Sequence, residues 1–414
     1  RSGYSSPGRA GALPSSVISH RLGPLMPAPP EFTAEAVKAQ STKEILESGP
    51  FAAIHAFNQS TEPYASIFKN NPWLRPPKPG KKLEWGTGRF WDTTVGRKHE
   101  YYKDKGLPQP TKDMHRMRQD LHDWGYCLIQ DAVALDKCAV MRQRLEEQAQ
   151  AERKADIADL MPNFHILWGM VNKGACFRGC IEHDPEWVQA GPVIEELLTE
   201  TLGPGWYNLS MAGNVSFGGC MPQVLHQDAG QTKFFTPDVA TLMNTMYILE
   251  DVNEVNGGTL IIPGSHKIIS DALRERREVP QLPPTINVEA PAGTVMIFDG
   301  RLLHGTGANR MPPGNWRYVM TQANIRPFLR QQENLPLMVK PEILETASPK
   351  LLHRLGFAGA LTDGMKSKRA ARDTRLLLEK GQYVRNGELS PSTVQPEELT
   401  VYQLQRRYEG RSKL

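Results

Sequence analysis

From residue 111 onward the spacing of apolar positions becomes regular. Residues 113–123 read as a short helix and 125–130 as a strand. Residues 135–154 read as an amphipathic helix with Met141, Leu145 and Ala149 four apart on one face. Residues 191–202 form a further helical pattern, stopped by Gly203-Pro204. The period then shortens. Residues 214–217, 242–249, 259–263, 294–298 and 318–325 read as short strands, with turn signals at Asn256-Gly-Gly258 and Pro291-Ala-Gly293. Such a run predicts a rolled-up antiparallel barrel in which early and late strands meet. Ahead of it, residues 33–46 carry a helical pattern, residues 1–30 read as disordered, and 71–110 read as an extended Pro/Trp-rich surface segment. After 328 the chain turns helical and basic. The expected organisation is an N-terminal extension (1–110), a core (111–330, helical half 111–205 and barrel 206–327) and a C-terminal extension (331–414).

Three side chains on the barrel segments stand out: His226 and Asp228 in a His-x-Asp triplet, and His304 just past the 294–298 strand. Chance alone supplies roughly one such triplet in a chain of this composition, so the order and context carry the signal. Two imidazoles and one carboxylate on one face of a metal leave the opposite face open, as in non-heme Fe(II) oxygenases. Arg317 opens the last strand, and a guanidinium can hold a carboxylate through two parallel hydrogen bonds, which suits the far end of 2-oxoglutarate. Asn244 and Met246 share one face of a strand by alternation and line the substrate space if that face points inward, with Tyr247 outward.

The stretch Asn256-Gly-Gly-Thr-Leu-Ile-Ile-Pro-Gly-Ser-His-Lys267 resembles the NG…PGSHK segment of the phytanoyl-CoA dioxygenase family. His226-Gln-Asp228, His304-Gly-Thr-Gly307 and Trp316-Arg317 fall where that family has its iron ligands and co-substrate arginine. The blocks 170–177 and 202–206 resemble its helical half. The resemblance implies an α+β, mainly β fold: a double-stranded β-helix (jelly-roll, cupin-like) core with helices packed on one side. It implies Fe(II), 2-oxoglutarate and O2, with His226, Asp228 and His304 as iron ligands. Arg317 would bind 2-oxoglutarate, with Gln227 and Thr306 as lesser candidates. Arg310 is the alternative to Arg317, because Met311-Pro-Pro-Gly314 lengthens the gap after His304. Met246 stands where many members carry an aromatic, which implies a different pocket. The implied reaction is hydroxylation of an aliphatic C–H, with a fatty acyl-CoA (α-hydroxylation) as one substrate class. A natural-product or other small-molecule oxygenase is the alternative, and a non-catalytic jelly-roll binding protein is the reading from another class.

Other features bound this picture. His266 is expected to orient its loop, and His165 and His183 to be structural. Lys173 is a weak candidate for the substrate pocket. The basic run 365–372 either meets CoA phosphates or is a solvated helix face. A net charge of +4 over 414 residues, without an aromatic-studded basic stripe, argues against nucleic acid. No apolar run reaches the roughly 18–20 residues of a membrane helix. The five cysteines form no C-x-x-C pair and read as small buried hydrophobes, and Cys176-x-x-x-Cys180 with His183 lacks the second half of a zinc site. The chain ends Ser412-Lys413-Leu414, a peroxisomal import address, so the import receptor is an expected partner and the peroxisome the expected location. The alternatives are the cytoplasm, or another organelle if residues 1–30 are a transit peptide.

Overall fold

The computed structural model describes residues 64–74, 99–161, 164–231 and 237–357, all within the compact unit Ile54–Leu414. The 33–46 helix, Trp85 and Trp91, the 365–372 run and Ser412-Lys413-Leu414 lie outside the described residues.

Ten strands are described: β1 (Tyr126–Ile129), β2 (Asp159–Leu160), β3 (Phe164–Leu167), β4 (Tyr207–Phe217), β5 (Leu242–Ile248), β6 (Leu260–Ile261), β7 (Ile286–Asn287), β8 (Val295–Asp299), β9 (His304–Gly305) and β10 (Trp316–Ile325). The helices are α1 (Tyr64–Asn70), α2 (Met114–Trp124), α3 (Leu135–Lys154), α4 (Ala175–Glu182), α5 (Gly191–Leu202), α6 (Ser265–Arg274), α7 (Leu335–Met338), α8 (Pro341–Thr346) and α9 (Pro349–Arg354). A seven-stranded antiparallel sheet runs β1-β8-β5-β10-β4-β3-β2, and a small sheet runs β7-β6-β9. This is the expected α+β jelly-roll. The helical half is less separate than the sequence suggests, because β1 pairs with β8 and β3 with β4, at both flanks of the large sheet.

Alternation along the strands sorts the interior into two layers. Met243 and Tyr247 on β5, Tyr318 and Met320 on β10, and Met211 and Val215 on β4 face the helices. They join Met141, Leu145 and Ala149 of α3 in one large core, as the four-residue spacing predicts. The next residues along, Met246, Val319 and Phe298, face the small sheet and pack with Ile261, Ile286 and Val288. All seven residues of β5 are therefore buried, which is why it reads as a continuous apolar run instead of an alternating one.

The segment after β10 belongs to the helical core. Leu335, Met338, Ile343, Leu344, Leu351 and Leu355 pack there. Buried Glu333 pins it by accepting from the amides of Gly169 at 2.8 Å and Met211 at 2.9 Å. Burial holds its carboxyl above the usual range, and the two amides pull the other way.

Glu333→Leu leaves two buried amides without an acceptor and is expected to cost about 2–4 kcal/mol. A lower urea midpoint at unchanged slope checks this; an unchanged midpoint contradicts it.

Candidate metal centre

Backbone pairing assembles this site. The amide of His226 donates to the carbonyl of His304 at 2.9 Å, and the amide of His304 donates back at 3.0 Å. The two histidines thus sit directly opposite each other across an isolated antiparallel bridge, with ring centroids 4.5 Å apart. The PGSHK stretch holds this bridge in place. Ile262 donates to Leu303 O at 3.0 Å, and Leu303 donates to the Ser265 hydroxyl at 2.9 Å.

Each imidazole has its Nδ1 3.0 Å from a carbonyl two residues earlier, Val224 O for His226 and Leu302 O for His304. A carbonyl only accepts, so each Nδ1 carries the proton and each Nε2 presents a lone pair. Both Nε2 atoms face Asp228: His226 lies 3.3 Å from Oδ1 and His304 3.4 Å from Oδ2. Ligating atoms of the three residues lie within 4.8 Å of one another. Bonds of about 2.0–2.2 Å place neighbouring ligands on an octahedron about 3 Å apart, so this spacing needs little closure. Three lone-pair sites face one another with no donor between them, and a divalent cation satisfies all three. The donor set and its spacing fit iron.

The electrostatics follow from the same contacts. Burial alone would raise the Asp228 carboxyl, but the imidazoles, His304 foremost, hold it well below the usual range. Burial opposes charge on His226, yet the Asp228 carboxylate beside its Nε2 favours the protonated ring and holds it above its ordinary value. The second Asp228 oxygen accepts from Asn244 Nδ2 at 2.8 Å, which ties the carboxylate to the centre of the large sheet.

These residues line a cavity of about 340 Å³ between the two sheets, with Thr306, Asn244, Met246, Phe298, Val319 and Arg317 among its walls. Arg317 is buried, at 2% exposure. It spends one N–H on the Gly257 carbonyl at 2.7 Å, and its Nε has no partner. Burial pushes its guanidinium below the usual value. Gly257 adopts φ +80°, and a Cβ there would lie 2.8 Å from Gly307 O, so the Asn-Gly-Gly turn is what brings that carbonyl close to Arg317.

Most sequence candidates converge here; Gln227, Lys173 and Arg310 do not. Gln227 lies between the ligands, and alternation turns its amide away to donate to the Arg301 carbonyl. It does not line the cavity. Lys173 is buried in the helical layer, bonded to Glu152. Arg310 is also absent from the cavity lining, where Arg317 is present. His165 and His183 bond Glu152 and Glu195. His266 opens helix α6 instead of sitting in a loop; burial pushes it down to about 4. All five cysteines are free and buried. The sequence reading missed the cavity wall of Phe164, Ile166 and Trp168, whose period-two spacing was the available signal.

Residues 121–312 match the family model described as phytanoyl-CoA dioxygenase, so the resemblance holds over that stretch. Dioxygenase FUM3 of Gibberella moniliformis is 31% identical over 208 residues, 48% of this chain and 66% of that protein. Dioxygenase aneA of Aspergillus aculeatus is 32% identical over 173 residues, 39% of this chain and 56% of that protein. HygX from Streptomyces hygroscopicus, solved with nickel and 2-oxoglutarate, aligns with 54% of this chain and 90% of its own at 15% identity and TM-score 0.39. At so loose a likeness the fold rests on this chain's own strand order. No described helix is long and apolar enough to cross a membrane.

Asn244→Leu frees the Asp228 carboxylate and is expected to weaken Mn(II) or Fe(II) binding by about 10–100-fold. Metal titration checks this, and unchanged affinity contradicts it. Because a protonated imidazole cannot ligate, and His226 titrates above its ordinary 6.5, affinity should fall as pH drops through that raised value. A flat profile between pH 8 and 5.5 contradicts this.

Proposed function

We propose, from the premise that residues 121–312 carry the phytanoyl-CoA dioxygenase family match, that this protein is an Fe(II)- and 2-oxoglutarate-dependent dioxygenase. It hydroxylates an aliphatic C–H of a small molecule, releasing succinate and CO2. One observation carries this reading: a two-histidine, one-carboxylate donor set shares its cavity with a buried arginine that makes no salt bridge to a described carboxylate, Glu250 acting on it only from a distance.

His226, Asp228 and His304 would hold the iron, and Asn244 would fix the carboxylate's second oxygen. Bound iron supplies oxygen activation, and with it the oxidation of the substrate. Arg317 would receive the far carboxylate of 2-oxoglutarate through its free fork, with Thr306 beside it on the cavity wall. Charge supports the combination. Asp228 and Arg317 cancel, and a divalent metal balances the dianion, so the loaded cavity is neutral and tolerates burial. Met246, Phe298 and Val319 keep the walls apolar, which limits water at the reacting position.

The family description brings an acyl-CoA into view as one substrate class. The walls favour a compact small molecule. Among the described lining residues Arg317 is the one Lys or Arg, and 2-oxoglutarate claims it. Among the described lining residues no second Lys or Arg is present for CoA phosphates.

Succinate formation tests the reading. It should require both Fe(II) and 2-oxoglutarate, and Arg317→Lys, which keeps charge but loses the fork, should raise the KM for 2-oxoglutarate about tenfold or more. Metal binding without succinate formation, across a broad substrate panel, would favour the binding protein instead.

A further inference from the structure

The cavity extends past the metal centre to the flank of the large sheet, where its wall is built by β3 and β4. Alternation on β3 sends Phe164 and Ile166 into the cavity, while His165 turns away to Glu152. Together with Ala212 of β4, and with Trp168 packed against them, they form an apolar cluster separate from the other cores. Every member lines the cavity. Apolar side chains clustered this way face each other on one side and the cavity on the other. Trp168 is locked by its indole N–H to Asp159 at 2.9 Å, so its polar atom is spent and its ring is what remains to offer.

The polar groups beside this wall make no demand for charge. Asn214 donates to the Thr321 hydroxyl at 3.3 Å, and Ser210 donates to Gln332 Oε1 at 3.3 Å. The charged residues among the described lining are His226, Asp228, His304 and Arg317, all assigned above to iron and 2-oxoglutarate. At the outer end, Leu160 and Met161 are 60% and 44% exposed, an apolar rim on the β2–β3 hairpin. A carboxylate, phosphate or ammonium placed against this wall would lose its hydration with no counter-ion among the described lining residues beyond those claimed by iron and 2-oxoglutarate, at a cost of several kcal/mol.

We propose that the substrate is an uncharged, largely apolar molecule whose body rests on Phe164, Ile166, Trp168 and Ala212, and that the β2–β3 hairpin sets specificity. This rests on the dioxygenase reading and names the class of molecule it acts on.

The test is competition, under anaerobic conditions, on the full chain loaded with Mn(II) and 2-oxoglutarate. The neutral fluorophore N-phenyl-1-naphthylamine is displaced by 1-decanol, decanoate or decylamine. Decanol is expected to compete at least about tenfold more tightly than either charged analogue. Ala212→Trp, which fills the space before the wall, should weaken the fluorophore and decanol by about tenfold or more while Mn(II) affinity stays unchanged. Ile166→Lys, a second variant on the same wall, should reverse the order in favour of decanoate. Decanoate or decylamine matching decanol on the parent protein would overturn the proposal, as would a folded Ala212→Trp protein that binds the fluorophore unchanged. Mn(II) affinity is read in the same samples. Its absence from the parent protein would overturn the dioxygenase reading, whereas the competition order decides the apolar wall separately.

Discussion

The two histidines of this site hold each other in place through their backbones. The reciprocal bonds between His226 and His304 fix which faces of two short segments point inward. A one-residue slip would turn Gln227 toward the cavity in place of a ligating side chain. β9 is only two residues long, so the pairing depends on its supports. Ile262 and Ser265 hold Leu303, and Gln223 bonds Thr306 through both its amide and its side chain. The PGSHK stretch is therefore scaffolding: it places ligands without contributing one.

Polar groups in the helical layer behave differently from those in the cavity. Glu152 is shared by His165 and Lys173, and Glu195 by His183 and Arg354. Each of these buried charges has an opposite charge in contact, as folding alone requires. In the cavity, three lone-pair sites converge on one point and Arg317 has a fork half used. The converging lone pairs and the unpaired Arg317 Nε carry a cost of burial at the place where a metal and a dianion would relieve it.

How much was legible follows from how each feature is encoded. The helices of 135–154 and 191–202 were read to the residue, because a long 3.6-residue period and a Gly-Pro stop are local signals. β5 and β10 were visible as apolar runs. β2 and β3 were not: β2 is too short to show a period, and on β3 His165 drew attention as a histidine instead of as the outward member of an alternating strand. Helix α6 was hidden behind a Pro-Gly turn, which placed His266 in a loop. Lys173 and Gln227 show the limit of proximity in sequence. One lies within a family-like block and the other between two ligands, yet tertiary packing sends both side chains elsewhere. The converging of His226, Asp228, His304 and Arg317 into one cavity was foreseeable only from their order along the strands.

The most direct test of the central claim is an anaerobic titration of the metal-free protein with Fe(II) and 2-oxoglutarate, followed by visible absorption, which needs no knowledge of the substrate. The account predicts the weak charge-transfer band of the iron–2-oxoglutarate chelate, absent in His226→Ala and diminished in Arg317→Ala. Iron binding with no such band, at saturating 2-oxoglutarate, would contradict it.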